Sequence, residues 1–222
     1  MDSGPRSSRP CPPLDTAPSP HSHLGTNPSD RAPLRTDPSP RSSHPSTDWL
    51  PVIRALRRAG PKAGVTRVVA IDGRSGAGKT SLAAVLARQL GAPVVSLEWL
   101  YGGWDGLEHG IDLLVSEVLE PLAAGRAARV PRYDWVARDW AEPAVLDPPE
   151  VLIVEGVGAG ARRGAAFESV LVWLEVPAAI RKKRALDRDG ETFAPYWDEW
   201  AAQEEQMLAR ERTPDRADIV IT

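Results

Sequence analysis

Apolar residues fall along this chain in two rhythms. Five short runs rich in β-branched residues, at 65–71, 93–97, 151–156, 170–176 and 217–221, are each set off by Gly, Pro or charged residues and read as strands. Between them lie longer segments in which apolar positions recur every three or four residues, the period of a helix with one buried face. The pattern predicts helices over 49–59 (Leu50, Ile53 and Leu56 on one side), 81–90 and 111–124 (Leu114, Val115, Val118, Leu122). It predicts two more over 178–188 and over 195–212 (Trp197, Trp200, Leu208). Gly60-Pro61, Gly91 and Gly125 are their stops, and Pro177 opens the fourth. Run 151–156 is apolar without alternation, the profile of a central strand buried on both faces. Strands alternating with helices imply an α/β, three-layer architecture: a parallel, doubly wound sheet of about five strands flanked by helices, with right-handed crossovers. Two stretches resist either period, 98–106 and 130–140, and both are expected to be loops.

Composition divides the chain. Half of its 22 prolines lie in residues 1–46, among Ser, Thr, Asp and Arg with almost nothing apolar. Such a segment cannot bury enough surface to offset its ordering entropy, so 1–46 is expected to be a disordered tail and 47–222 the folded domain. The net charge is -3 and gives no basic field for a nucleic acid polymer. Cys11 is the only cysteine, so no disulfide framework arises within the chain. Apolar runs stop well short of the ~20 residues of a membrane span, and no secretory pattern opens the chain. A cytoplasmic protein is the expectation, with a homo-oligomer left open.

The candidate chemistry lies between the first strand and the helix at 81–90. Gly73-Arg74-Ser75-Gly76-Ala77-Gly78-Lys79-Thr80, followed by Ser81, fits G-x-x-x-x-G-K-[ST], the phosphate-binding loop of P-loop NTPases. A strand ends, glycines turn the chain, and a helix starts with its free N–H groups facing the turn, which makes an anion site. ATP with Mg²⁺ is the expected ligand, Lys79 reaching the β and γ oxygens and the Thr80 hydroxyl on the metal. In an open parallel sheet the ligand crevice lies at the carboxyl ends of the strands. Glu98 and the residues after it should therefore line the crevice, and Glu155, directly after a buried strand, stands where a carboxylate would complete the Mg²⁺ shell. Its alternative is a strand-end acid facing solvent. The basic residues of 178–188 are either a solvated face or a clamp on phosphates, with Arg184 and Arg188 at i, i+4 on one side. Trp135 and Trp140 are either surface packing or part of a platform for a flat, polar acceptor. A regulatory GTPase needs an Asn-Lys-x-Asp reader, and the single asparagine is Asn27 in the tail.

The order of these elements resembles the uridine kinase-like P-loop kinases, a group that includes phosphoribulokinase and pantothenate kinase. The resemblance rests on the P-loop, Ser96-Leu97-Glu98 with Tyr101, Pro131-Arg132-Tyr133-Asp134-Trp135, Val154-Glu155-Gly156, the basic helix and Ala217-Asp218-Ile219-Val220, and covers about 65–222. Tyr101-Gly102-Gly103-Trp104-Asp105-Gly106 is similar to a motif of a bacterial ATP-binding subgroup. The resemblance implies that Glu98 falls where uridine kinases place an Asp that activates the substrate hydroxyl. It implies that Tyr133 contacts the base, that Arg138 stands near the position where the family's loop His is replaced in this chain, and that Arg184 and Arg188 are lid arginines. Tyr101 and Asp105 belong to the acceptor loop by the same comparison.

Together these readings predict an ATP-dependent small-molecule kinase whose acceptor is a hydroxyl of a nucleoside, uridine-like. Lys79, Glu98, Arg184 and Arg188 would be catalytic, residues 73–81 would hold ATP, and Tyr101, Asp105, Tyr133 and Arg138 would hold the acceptor. Thr80 and Glu155 would hold the metal. The alternatives are a nucleoside monophosphate kinase and a non-catalytic ATP-binding regulatory protein.

Overall fold

The computed structural model describes residues 49–190 and 193–222, and the tail predicted over 1–46 lies outside the described residues. In chain order, α1 (Leu50–Arg58), β1 (Arg67–Asp72), α2 (Lys79–Leu90) and β2 (Val94–Ser96) come first. A helical run follows, α3 (Leu107–Leu113) and α4 (Glu120–Ala123), then a hairpin of β3 (Ala128–Asp134) and β4 (Asp139–Leu146). β5 (Val151–Glu155), β6 (Glu168–Leu174), α5 (Ala178–Asp189), α6 (Trp197–Glu211), α7 (Thr213–Arg216) and β7 (Ile219–Ile221) complete it. The five predicted strands form one sheet in the order β2-β5-β1-β6-β7, every pair parallel. No described helix is long and apolar enough to cross a membrane.

The sheet is buried on both faces, which is why its strands read as unbroken apolar runs. Val69, Ile71, Ile153, Val170 and Val172 meet Ile53 and Leu56 of α1 and Leu82 and Leu86 of α2 on one face. Val68, Leu152, Val154 and Trp173 meet Leu107, Ile111, Leu114, Val118 and Leu122, with Trp200 and Met207 of α6, on the other. Each such side chain contributes about 1.5–3 kcal/mol of burial free energy.

Two expectations change. The helix predicted over 111–124 begins earlier, at Leu107, and between α3 and α4 it widens to a π-helical register over Leu114–Leu119. Pro121 is the physical reason: it lacks the N–H that an α-helix would bond to residue 117, and its ring crowds that carbonyl. The Glu120 N–H reaches back to the Val115 carbonyl instead. The stretch 130–140, expected to be a loop, forms most of an antiparallel hairpin. Its alternation is broken by a register shift between Val130 and Arg132, at Pro131, which has no N–H for the ladder.

Glu168, at the start of β6, is 6% exposed, and its Oε1 has no hydrogen-bond partner. Burial pushes its carboxyl up to about 8, against the pull of the Arg216 charge. The folded chain therefore keeps a proton that the unfolded chain releases near 4.5, so this group's contribution is full below about pH 4.5 and is lost as the pH rises through about 8. Glu168→Gln holds the neutral shape at every pH. It is expected to flatten the fall in melting temperature between about pH 6 and pH 8 and to stabilise the fold at pH 8 by roughly 2–4 kcal/mol. Circular-dichroism melts of both proteins across that range check this, and parallel profiles would refute it.

Candidate active site

β1 stays apolar from Val68 to Ile71, then ends on Asp72, an acid with no exposed surface. Its carboxylate accepts the N–H groups of Gly73 (2.7 Å), Gly158 (3.0 Å) and Gly160 (3.1 Å), joining the start of the phosphate loop to the glycine-rich segment after β5. Burial lifts its pKa to about 6, with these three N–H groups and the Lys79 charge pulling the other way. Asp72 went unassigned in the sequence, although an acid closing an apolar strand just before a glycine loop is a usable signal.

The loop at 73–78 is glycine-rich because other backbones crowd it. Gly76 has φ +79°, and a Cβ there would run into the backbone carbonyl of Arg181. Gly73 has φ +151°, with the Leu174 carbonyl oxygen 2.8 Å from where a Cβ would stand. α2 then begins at Lys79 with no side-chain cap, leaving its first N–H groups for an anion. Gly78, Thr80 and Ser81 are exposed at the mouth, while Lys79 is buried with its Nζ 3.2 Å from the Arg74 carbonyl oxygen.

Strand order sets what faces this loop. β5 lies between β1 and β2, so Glu155 is in register with both Ile71 and Ser96. Glu155 is 2% exposed, and the Thr80 hydroxyl donates to its Oε2 at 3.4 Å. Burial raises its pKa, the nearby Glu98 charge raises it further, and Lys79 together with the Ser96 and Thr80 hydroxyls lowers it. A hydroxyl and a carboxylate beside a phosphate loop are hard oxygen donors suited to Mg²⁺, which takes one or two such protein ligands and completes its shell with phosphate and water. Among the described residues no cluster of three or more His, Cys, Asp or Glu offers a self-sufficient metal cage, in keeping with that division. The donor set fits Mg²⁺ with ATP.

Glu98 leaves β2 in a short 3₁₀ turn, Leu97–Trp99, capped by the Ser96 hydroxyl. Its half-exposed carboxylate meets Arg188 of α5 at 3.6 Å, so two residues predicted as catalytic approach each other from opposite sides of the crevice. Arg184, half-buried on α5, has no hydrogen bond or ion pair with another described residue. Arg181, one turn earlier, is buried and donates to the Val176 and Ser75 carbonyls.

The predicted acceptor residues divide. Tyr133 is half-buried, its ring edge-on to Trp135 (5.4 Å) and Trp140 (5.3 Å). The Trp135 indole donates to the Glu98 carbonyl at 2.9 Å, and the Arg132 guanidinium lies over the Trp99 ring, so the hairpin is fastened to the 97–106 segment. Asp105 is exposed in the turn before α3. Tyr101 requires correction: it is 3% exposed, its hydroxyl donates to the Val157 carbonyl at 2.9 Å, and it packs on Trp200. It is a core residue beneath the 102–106 segment. Arg138 sits exposed at the hairpin tip with φ +55°. Sequence reasoning missed Trp104, whose ring lies nearly parallel to Phe193 (5.0 Å, 8°) and Tyr196 (4.9 Å, 12°) and 4.7 Å from Trp135. These rings join the 98–106 segment, the hairpin and the segment after α5.

No family model matches the chain. It is 36% identical to a cytidylate kinase of Pseudomonas aeruginosa (strain UCBPP-PA14) over 135 residues, 57% of each chain. It is 34% identical to a cytidylate kinase of Pseudomonas putida (strain W619) over 134 residues, 55% of each. The chain thus spans a little over half the length of the curated relatives it matches. Among solved structures it resembles a possible uridine kinase from Bacillus stearothermophilus, with a TM-score of 0.58 and 22% identity over 79% of this chain and 96% of that one. The two share a fold, an α/β architecture with a parallel five-stranded sheet flanked by helices.

Proposed function

We propose that this protein transfers the γ-phosphoryl group of ATP to a hydroxyl of a small acceptor carrying a flat ring, a nucleoside or a molecule of that class. The observation that carries the reading is the place of Glu98, a carboxylate close enough to Glu155 to raise its pKa and paired with Arg188 across the crevice. A hydroxyl acceptor needs a group to take its proton. A phosphate acceptor is already anionic and would be repelled by a second carboxylate.

Backbone N–H groups of residues 76–80 surround the β-phosphate, and Lys79 reaches between the β and γ oxygens. Thr80 and Glu155 would hold the metal. Bound Mg²⁺ supplies neutralising charge to the phosphate oxygens. Glu98 orients the acceptor hydroxyl and receives its proton, while Arg188 and Arg184 offset charge on the transferring group and exclude water. Tyr133, Trp104 and Trp135 offer ring faces and edges to the acceptor.

A second reading, a nucleoside monophosphate kinase, is supported by the relatives called cytidylate kinases and by Arg132 beside the same crevice. A coupled ADP-release assay with nucleosides and their 5′-monophosphates separates the two. Stimulation by a nucleoside supports the hydroxyl reading, stimulation by monophosphates alone replaces it with the second, and no stimulation by any acceptor leaves an ATP-binding regulatory protein.

A further inference from the structure

Ser75, in the middle of the phosphate loop, has every polar atom held by a side chain from α5 or α6. Its N–H donates to Glu204 Oε1 at 2.8 Å, its carbonyl accepts from Arg181 at 3.2 Å, and its hydroxyl accepts from the Trp200 indole at 3.0 Å. The same indole N–H is shared with Glu204 Oε1, also at 3.0 Å. Glu204 is 1% exposed and Trp200 4% exposed, so a carboxylate is kept inside the protein to accept these two donors. Burying a charge is costly unless the group is satisfied, and the acceptors of a fixed loop N–H are otherwise water or ligand.

We infer that Glu204 is a positioning residue for nucleotide binding: it fixes the Ser75 peptide and so presets the curvature with which the following N–H groups of the loop meet phosphate. The inference rests on the reading of residues 73–80 as an ATP site. The loop takes positive φ at Gly73, Gly76 and Gly78. Glycine reaches these angles without strain but reaches many others as readily, so contacts from outside the loop must select this one conformer. Arg181 presses on it through its own carbonyl at Gly76 and its guanidinium at Ser75, and Glu204 holds the remaining N–H. Since α5 precedes and α6 follows the segment at 190–196, the clamp ties the phosphate loop to both flanks of that segment.

The test compares affinity for ATP·Mg²⁺, by isothermal titration calorimetry well below every melting temperature, with thermal stability. Glu204→Ala leaves the Ser75 N–H without its acceptor and is expected to weaken ATP binding by roughly tenfold or more. Glu204→Gln keeps an oxygen able to accept both donors and is expected to restore affinity to within about threefold of wild type. If E204A does not fold, Glu204→Asp, which withdraws the oxygen by one methylene, carries the same expectation of weakened binding. A lowered melting temperature with unchanged ATP affinity in E204A or E204D would overturn the inference, leaving Glu204 purely structural. Equal weakening in E204Q would overturn it too, because charge rather than hydrogen-bond acceptance would then govern binding. Absence of ATP binding by the wild type defeats the ATP reading itself, a result distinct from either.

Discussion

Glu98→Gln is expected to lower kcat by about 10²–10⁴-fold, the range contributed by a positioned general base, while ATP·Mg²⁺ affinity holds. Glutamine fills the same space, and the side chain is about half exposed, so the fold does not depend on it. Its ion pair with Arg188 is an exposed contact, of a kind that contributes little to stability. What glutamine lacks is the capacity to take a proton. Metal affinity is expected to change little, because the Glu98 charge has two opposing effects that are lost together: it raises Glu155, and it would attract a cation directly. Steady-state kinetics with the stimulating acceptor, beside ATP titrations, reads both numbers. An unchanged kcat would remove the base role. It would also favour the monophosphate kinase reading, in which the acceptor brings its own negative oxygen.

The site also explains which residues a reader of the sequence can place and which remain hidden. The phosphate loop, Glu155 and the parallel sheet are visible because each depends on local order: fixed spacing, an apolar run, an acid at a strand end. The Thr80–Glu155 contact follows once β5 is recognised as a central strand. The hairpin was hidden by Pro131, which breaks the ladder, and by Tyr133, Trp135 and Trp140, which pack on one another and blur the alternation. The family resemblance puts Tyr101 in an acceptor loop, in a stretch rich in glycines. Those glycines let the chain turn back over the ring instead, the Tyr101 ring standing where a side chain at Gly110 would project. Arg181 and Glu204 could not be assigned because their partners are main-chain atoms of Ser75, 106 and 129 residues earlier. Main-chain donors and acceptors leave no signature in residue identity.

Lys79→Met is expected to reduce kcat/KM by about 10²–10³-fold, the loss typical of one group aimed at developing transition-state charge, and to move the acid limb of the pH profile upward. Methionine preserves the buried, unbranched stem, since Lys79 is only 8% exposed, so helix α2 should keep its start. The lost ammonium has two consequences. It no longer reaches the phosphate oxygens, which costs transfer rate directly. It also no longer offsets burial at Glu155 and Asp72, both of which its charge holds down. Glu155 must be ionised to hold a metal, and its pKa is already raised in the wild type, so metal binding fails as the pH falls through that raised value. Without Lys79 the failure begins at higher pH, and more Mg²⁺ is needed at a given pH below neutrality. Rate measurements across pH at several Mg²⁺ concentrations test the two consequences separately. A uniform loss of rate with an unmoved acid limb would confine Lys79 to the phosphates. A loss below tenfold would show that transfer does not run through this loop.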